Sequence, residues 1–302
     1  MIQKLGKEFI PFLNRKVDQN VLVSFRAFFA FHLFLQSLKL PWSYGHNLIV
    51  YLLQGSILLC VVAMFFERAS RAGVLFLAAY KLYWVYIKFP STANHYYFEF
   101  LVLVLLFIFH PIKEEKRENY LVDGTAIRLI QIGILSVYFY GGVHKLVHGF
   151  WLDGEFLIQT LFKQGNGGLG KTLGLFINFF DPHWIKGPLS LAKGLEVTSF
   201  KISSLSLNMI TVLSLGTIFT EIFTPLLFVF KKTRKWGFIF MIILQIIIGF
   251  SAWETEFMFA ALGSIFLFTQ KGHPRTFMFL GLIHALWAIF IIYILDLRIG
   301  IL

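Results

Sequence analysis

Residues 207–230, LNMITVLSLGTIFTEIFTPLLFVF, carry a single charged side chain, Glu221, in an otherwise largely apolar stretch. A helix needs about 20 predominantly apolar residues to cross a bilayer. This stretch is therefore predicted to be a transmembrane helix. Further apolar runs follow the same pattern, with charged residues collected between the runs and not along them. They lie at residues 22–38, 48–66, 74–89, 96–109, 126–146, 236–251, 257–268 and 277–294.

The composition indicates a membrane protein and excludes a soluble globular domain. Hydrophobic residues make up 57% of the 302 residues and charged residues only 14%, whereas soluble domains carry about 25% charged residues. We therefore predict an all-α fold, a polytopic integral membrane bundle of about nine transmembrane helices. The one cysteine, Cys60, lies in an apolar run, so the sequence excludes an intrachain disulfide and a cysteine-based metal site.

The basic residues predict an orientation, because short loops rich in Lys and Arg stay in the cytoplasm. With nine spans, every basic cluster falls on the same side, and the N-terminus is cytoplasmic while the C-terminus is extracytoplasmic. Residues 1–21 are then a cytoplasmic segment, residues 22–302 the transmembrane domain, and residues 147–205 an extracytoplasmic loop region. The basic clusters are Lys4, Lys7, Arg15 and Lys16; Arg68 and Arg71; Lys113, Lys116 and Arg117; Lys231 to Lys235; and Lys271 with Arg275.

The location predicted from these features is the cell membrane, as a multi-pass protein, and the inner membrane if the source is bacterial. The net charge of +11 is explained by topology, so no nucleic-acid partner is predicted. Gly165, Gly170, Lys171 and Thr172 satisfy the phosphate-loop expression. That loop requires a strand before it and a helix after it within an α/β domain, so no nucleotide is predicted either.

Ionisable residues within the predicted spans point to function or to a buried partner, because a charge in hydrocarbon is costly. They are Arg26, His32, Lys81, Glu99, Lys145 and Glu221. We expect Arg26 to extend to lipid phosphate and His32 to be a hydrogen-bonded core histidine. Glu221 lies four residues before Pro225 and is expected to accept hydrogen bonds there or to pair with Lys81 or Arg26.

The strongest candidate site joins the fourth and fifth spans near the outer surface. His95 and Glu99 are four residues apart, which places both on one helix face beside Asn94. Lys145 lies at the outer end of the fifth span with His144. A lysine among apolar neighbours loses solvation of its charged form, so its neutral amine becomes available as a general base.

Two other interpretations of these residues remain open. Lys145 could be an interfacial cation whose charge extends to water at a helix end. A metal is not predicted, although His144 and His148 have the spacing to bind one together with His95 and Glu99.

At these residues the chain resembles the vitamin K-dependent γ-carboxylases and their bacterial relatives that share the horizontally transferred transmembrane (HTTM) domain. The resemblance covers the helical region and is most specific around Lys145. The residues that carry it are Phe25-Arg26, Asn94-His95, Tyr138-Phe139, Gly142 to Leu146, Trp151, Gly154, Glu221, Arg234, Gly237 and Phe257. The chain ends at Leu302, shortly after the last apolar run, so the expected relative is a short bacterial-type member without the large extracytoplasmic C-terminal region.

The resemblance implies chemistry with a reduced quinone, such as vitamin K hydroquinone, in which oxygen and carbon dioxide are co-substrates and a glutamate is carboxylated. It implies catalytic roles for Lys145, His95 and Asn94. Gln245 stands where the family usually has a histidine. The residues expected to bind the cofactor are Glu99, Tyr138, His144, Trp151, Glu221 and Gln245.

The expected partners are membrane lipid, a peptide or protein substrate on the extracytoplasmic side, and a companion membrane protein. Two other functions are kept as alternatives. The first is an HTTM-family protein for maturation or export of a secreted peptide. The second is a nonenzymatic binder of quinone or lipid.

Overall fold

The computed structural model describes residues 19–38, 40, 46–88, 94–109, 119–147, 151–155, 157–158, 177–181, 185–186, 201–230, 232–251, 255–268 and 274–290. Several sequence predictions lie outside these residues. They concern most of the N-terminal segment, most of the loop region 147–205, the phosphate-loop match and His148.

Helices dominate the described residues, which confirms the predicted helical fold class. A two-residue antiparallel ladder, β1 (Ile185–Lys186) with β2 (Lys201–Ile202), is the exception. Within the described residues, each apolar run predicted from the sequence overlaps a helix. The helices are α1 (Gln19–Leu38), α2 (Leu48–Ala63), α3 (Glu67–Lys88), α4 (Asn94–Ile108), α5 (Asn119–Val147), α6 (Ser204–Val229), α7 (Arg234–Ser251), α8 (Thr255–Phe266) and α9 (Pro274–Ile289).

Among the described residues, three helices are long and apolar enough to cross a membrane by length and composition. These segments are Val21–Leu38 in α1, Gly124–Val147 in α5 and Ser204–Val229 in α6. Other apolar helices are shorter, and α8 has only 12 residues, about 18 Å at ~1.5 Å per residue. The hydrocarbon core of a bilayer is ~30 Å thick, so α8 is too short to cross it upright.

The surface of α2 is also compatible with a membrane. This helix contains no charged residue, and Leu48, Ile49 and Leu59 are each more than 70% exposed. Exposed apolar side chains of this kind fit a contact with lipid or with another protein. The side chain of Asn47 caps the helix by accepting a hydrogen bond of 3.0 Å from the backbone N–H of Val50.

The chain divides into two compact units. The first comprises Met1–Val137, Val229–Lys232 and Glu256–Leu302. In this unit α1 packs against α2 and α9, and α3 packs against α2 and α4. Gly73 makes the contact between α3 and α2 close, because a Cβ there would lie 2.7 Å from the carbonyl oxygen of Cys60.

The second unit comprises Tyr138–Phe228 and Thr233–Thr255. It contains the last turns of α5, most of α6, and α7. Ser203 caps α6 by accepting a hydrogen bond from the backbone N–H of Ser206. Asp181 completes this cap, since both serine hydroxyls donate to its Oδ2.

Candidate functional site

Lys145 and Glu221 form an ion pair inside the second unit. Lys145 Nζ lies 2.5 Å from Glu221 Oε1, and the two side chains are 20% and 7% exposed. Lys145 Nζ also lies 4.7 Å from the centre of the Trp151 ring. The ammonium therefore has a carboxylate and an aromatic face as neighbours, both of which stabilise positive charge.

A close contact between α5 and α6 positions this pair. Gly142 lies less than one turn before Lys145, and a Cβ there would be 2.7 Å from Ile222 Cγ1 and 3.0 Å from Glu221 Cβ. The missing side chain allows the backbones to approach, as small residues do in membrane helix packing. Lys145 therefore meets Glu221 because glycine occupies position 142.

Replacing Gly142 by alanine is expected to lower the free energy of unfolding by about 1–3 kcal/mol, since the added methyl overpacks this contact. Gly216→Ala is the matched control, because Gly216 also lies in a helix but a Cβ there meets nothing within 4 Å. Thermal unfolding in detergent measures both variants. Equal stability of the Gly142→Ala and Gly216→Ala variants would show that α5 and α6 are farther apart at Gly142 than the structure has them.

The turn after α5 fixes Trp151 beside Lys145. Ser214 donates a hydrogen bond to the carbonyl oxygen of Trp151, and Thr211 donates one of 3.1 Å to that of Asp153. Gly154 has a φ of 80°, a conformation that glycine adopts at little steric cost. A Cβ there would also lie 2.9 Å from Ile210 Cγ2, so this turn is held closely against α6.

The other predicted site residues of the second unit have different surroundings. Tyr138 is buried, whereas His144 is exposed, with its ring 5.9 Å from that of Tyr140. Gln245 is fully buried, and neither polar atom of its amide has a hydrogen-bond partner among the described residues. Gln245 is therefore a candidate contact for a polar ligand.

The predicted residues of α4 belong to the first unit. Asn94 and His95 begin this helix. The structure describes their backbone but not their side chains. Glu99 is fully buried and forms an ion pair with Lys81. Glu221 pairs with Lys145, and the Gly142 contact brings these two residues together. The hydrogen bonds expected for Glu221 beside Pro225, and its pairing with Arg26, stay predictions.

Arg26 donates a hydrogen bond of 3.3 Å to the carbonyl oxygen of Phe109, at the end of α4. This contact lies in the first unit, as does the ion pair of Lys81. The lipid contact expected for Arg26 stays a prediction.

Three polar side chains, His32, Gln36 and Lys81, surround Glu99. We call these four residues the His32 cluster. The Gln36 amide nitrogen donates a hydrogen bond of 2.6 Å to Glu99 Oε1, and the Gln36 amide oxygen accepts one of 2.8 Å from Lys81 Nζ. His32 Nε2 lies 3.1 Å from the same Oε1. The prediction that His32 is a hydrogen-bonded core histidine is confirmed.

This cluster was not predicted as a site from the sequence. Gln36 was overlooked because it is uncharged, although it lies four residues after His32 on α1, a spacing that places both on one helix face. Lys81 and Glu99 were recognised as costly charges within spans, and two such charges of opposite sign are expected to pair. That rule alone does not select between Glu99 and Glu221 as the partner of Lys81.

A small cavity of about 40 Å³ adjoins the cluster. A water molecule requires roughly 10–15 Å³ of cavity volume, so this cavity has room for about three waters. It is too small for a naphthoquinone. Among the described residues, no group of three metal-ligating side chains is brought together. The cavity is lined by Leu33, Gln36, Ser37, Leu40, Ile57, Leu77, Tyr80, Lys81, Trp84, Tyr96 and Glu256.

No protein-family model, curated protein or solved structure matches the chain. The assignment of function therefore depends on the residues and their geometry.

Proposed function

We propose that the protein is a membrane enzyme in which Lys145 and Glu221 transfer a proton. The observation that carries the proposal is the contact of 2.5 Å between Lys145 Nζ and Glu221 Oε1 at a largely buried position. An ammonium cannot accept a proton. Lys145 becomes a base when its N–H bond breaks and the proton bonds to Glu221, leaving a neutral amine and a neutral carboxylic acid.

The reaction class that we propose is the one implied by the resemblance: use of a reduced quinone and oxygen to carboxylate a glutamate in a peptide or protein. When bound, the reduced quinone supplies the strong base, formed with oxygen, that removes the γ-proton of the glutamate before carbon dioxide adds. Lys145 would take the proton of a quinol hydroxyl, and Glu221 would prepare the amine for that step.

Two features of the second unit fit a quinol. The Trp151 ring offers a flat aromatic surface near Lys145 Nζ, and quinone rings stack on such surfaces. Gln245 has a buried amide donor and acceptor without hydrogen-bond partners among the described residues, and a hydroxyl can bond to either. We therefore propose that Trp151 and Gln245 contact the ring, with Tyr138 added only because the resemblance implies it, and with no role assigned to the small cavity of the first unit.

The proposed topology has nine spans, a cytoplasmic N-terminus and an extracytoplasmic C-terminus, and it places Lys145 on the outer side of the cell membrane. In support, the nine apolar runs each overlap a helix of the described ranges, and the basic clusters of the sequence alternate between the intervening loops. The substrate would then be a secreted or extracytoplasmic peptide. Asn94 and His95 lie in the first turn of α4, in the first unit, and their catalytic roles stay a prediction from the resemblance.

The proposal is tested by mass spectrometry of secreted peptides from cells that carry the wild-type protein, the Lys145→Ala variant or no copy. We expect a mass increase equal to one carbon dioxide only with the wild type. Lys235→Ala is the control, because Lys235 is an exposed lysine at the start of α7. A different mass change would replace carboxylation by another maturation reaction.

Binding of a reduced naphthoquinone to the purified protein separates the enzyme from a binder. If the wild type binds the quinone without consuming it in the presence of oxygen, and Lys145→Ala changes only the affinity, the protein is a nonenzymatic binder. Consumption by the wild type that persists in Lys145→Ala removes Lys145 from the mechanism.

A further inference from the structure

Helix α3 has two different faces. Its buried face contributes Lys81 to the His32 cluster, whereas the opposite face is exposed and apolar. The exposed residues recur every three or four positions, which places them along one side of the helix. They are Ala72, Leu75, Phe76, Ala79, Leu82, Tyr83 and Tyr86. In a membrane protein, an apolar face of this kind is suited to contact with lipid acyl chains.

The length of α3 matches the thickness of a bilayer. Its 22 residues rise about 33 Å at ~1.5 Å per residue, and the hydrocarbon core is ~30 Å thick. In the proposed topology, its two ends therefore lie at the two headgroup levels. Tyr83 and Tyr86 are near one end, and tyrosine favours this interface. Arg71 lies in the second turn at the other end, and side chains in a helix lean toward its N-terminus, so the guanidinium reaches the headgroup level.

The ring of Phe107 holds the Arg71 side chain in place. Arg71 Cζ lies over this ring, 5.1 Å from its centre, and Arg71 itself is exposed. The ring belongs to α4, which packs against α3. A guanidinium that stacks through its face keeps the N–H groups of its edge for an anion. The ion pairs within the described part of the chain do not include Arg71.

A second arginine lies at the same end of α4. Phe107 is in the last turn of this helix and Phe109 directly follows it. Arg26 donates its hydrogen bond of 3.3 Å to the carbonyl oxygen of Phe109, at the helix end where a cation is favoured by the helix dipole. Two guanidinium groups are thus held at this end of α4, so the site is suited to a negatively charged ligand.

We propose that Arg71 binds the phosphate group of an anionic phospholipid whose acyl chains lie along the exposed face of α3. The planar guanidinium can bond two phosphate oxygens at once. The apolar side chains that follow Arg71 on this face, such as Leu75, favour a lipid over free phosphate, which would contact only the cation. In the proposed topology this site is in the cytoplasmic leaflet, which carries the anionic lipids.

The inference requires the membrane location of the chain but not the reaction proposed for Lys145. Its residues all belong to the first unit, and its test measures lipid binding without a quinone. A failure of one proposal therefore leaves the other intact.

The test is native mass spectrometry of the purified full chain in detergent, titrated with dioleoyl phosphatidylglycerol or with dioleoyl phosphatidylcholine. In the wild type we expect the first phosphatidylglycerol to bind more tightly than the first phosphatidylcholine. Arg71→Gln should weaken phosphatidylglycerol binding at least about fivefold, the factor that one basic residue contributes to attraction by anionic lipid. Arg275→Gln is the matched control, because Arg275 is an exposed arginine at the start of α9, and it should leave this affinity unchanged.

A second variant and a competitor make the test specific. Phe107→Leu keeps the charge of Arg71 but removes the ring that holds it, so phosphatidylglycerol should again bind more weakly. This variant replaces Arg71→Gln if the latter does not fold. Excess inorganic phosphate should not displace the bound lipid. Equal binding of the two lipids, an unchanged affinity in Arg71→Gln, an equal loss in Arg275→Gln, or displacement by phosphate would each overturn the proposal.

Discussion

Replacing Glu99 by leucine is expected to lower the free energy of unfolding by about 3–5 kcal/mol, the usual cost of removing one partner of a buried ion pair. Glu99 accepts from Gln36 and contacts both Lys81 and His32, so the substitution leaves a cation and two polar groups without their acceptor. Thermal or denaturant unfolding of the protein in detergent measures the loss.

The double variant Glu99→Leu with Lys81→Met shows whether charge causes this loss. Two apolar residues in place of a buried ion pair are often as stable as the pair, so the double variant should recover most of the stability. Glu155→Ala is the control, since Glu155 is exposed and its removal should change stability by less than about 0.5 kcal/mol. A double variant as unstable as Glu99→Leu would mean that shape, and not charge, makes this position sensitive.

The helices could be predicted from the sequence because their signal is local. The run at 48–66 contains no charge before Glu67, so its position is evident, and helix α2 begins at the predicted residue, Leu48. The ends are less certain. Helix α5 begins at Asn119, seven residues before the predicted start, because polar residues join a helix without contributing to its apolar run.

The partners of the charged residues could not be predicted in the same way. Glu221 pairs with Lys145 and not with Lys81, although all three stood out as costly charges within spans. The choice of Lys145 as the partner of Glu221 depends on Gly142, whose missing Cβ lets α6 approach α5. The sequence around Glu221 does not indicate this approach. A rule that matches buried charges of opposite sign needs helix packing before it selects a partner.

Replacing Lys145 by arginine is expected to preserve the ion pair with Glu221 and to abolish proton transfer. Guanidinium is cationic like the ammonium and stacks on aromatic rings, so it can keep the contacts with Glu221 and Trp151. It cannot be deprotonated in a protein. Because general acid–base catalysis contributes typically ~10²–10⁴-fold, consumption of reduced naphthoquinone should fall by about that factor, with little change in thermal stability.

Glu221→Gln is the complementary variant. It keeps a hydrogen-bond acceptor near Lys145 but removes the group that would receive its proton, so consumption should again fall while quinone binding persists. Lys235→Arg is the matched control for the arginine substitution, because Lys235 is exposed at the start of α7. The two site variants together distinguish the roles of the pair. If Lys145→Arg retained full turnover, charge alone would suffice, and Lys145 would stabilise the α5–α6 contact without acting as a base.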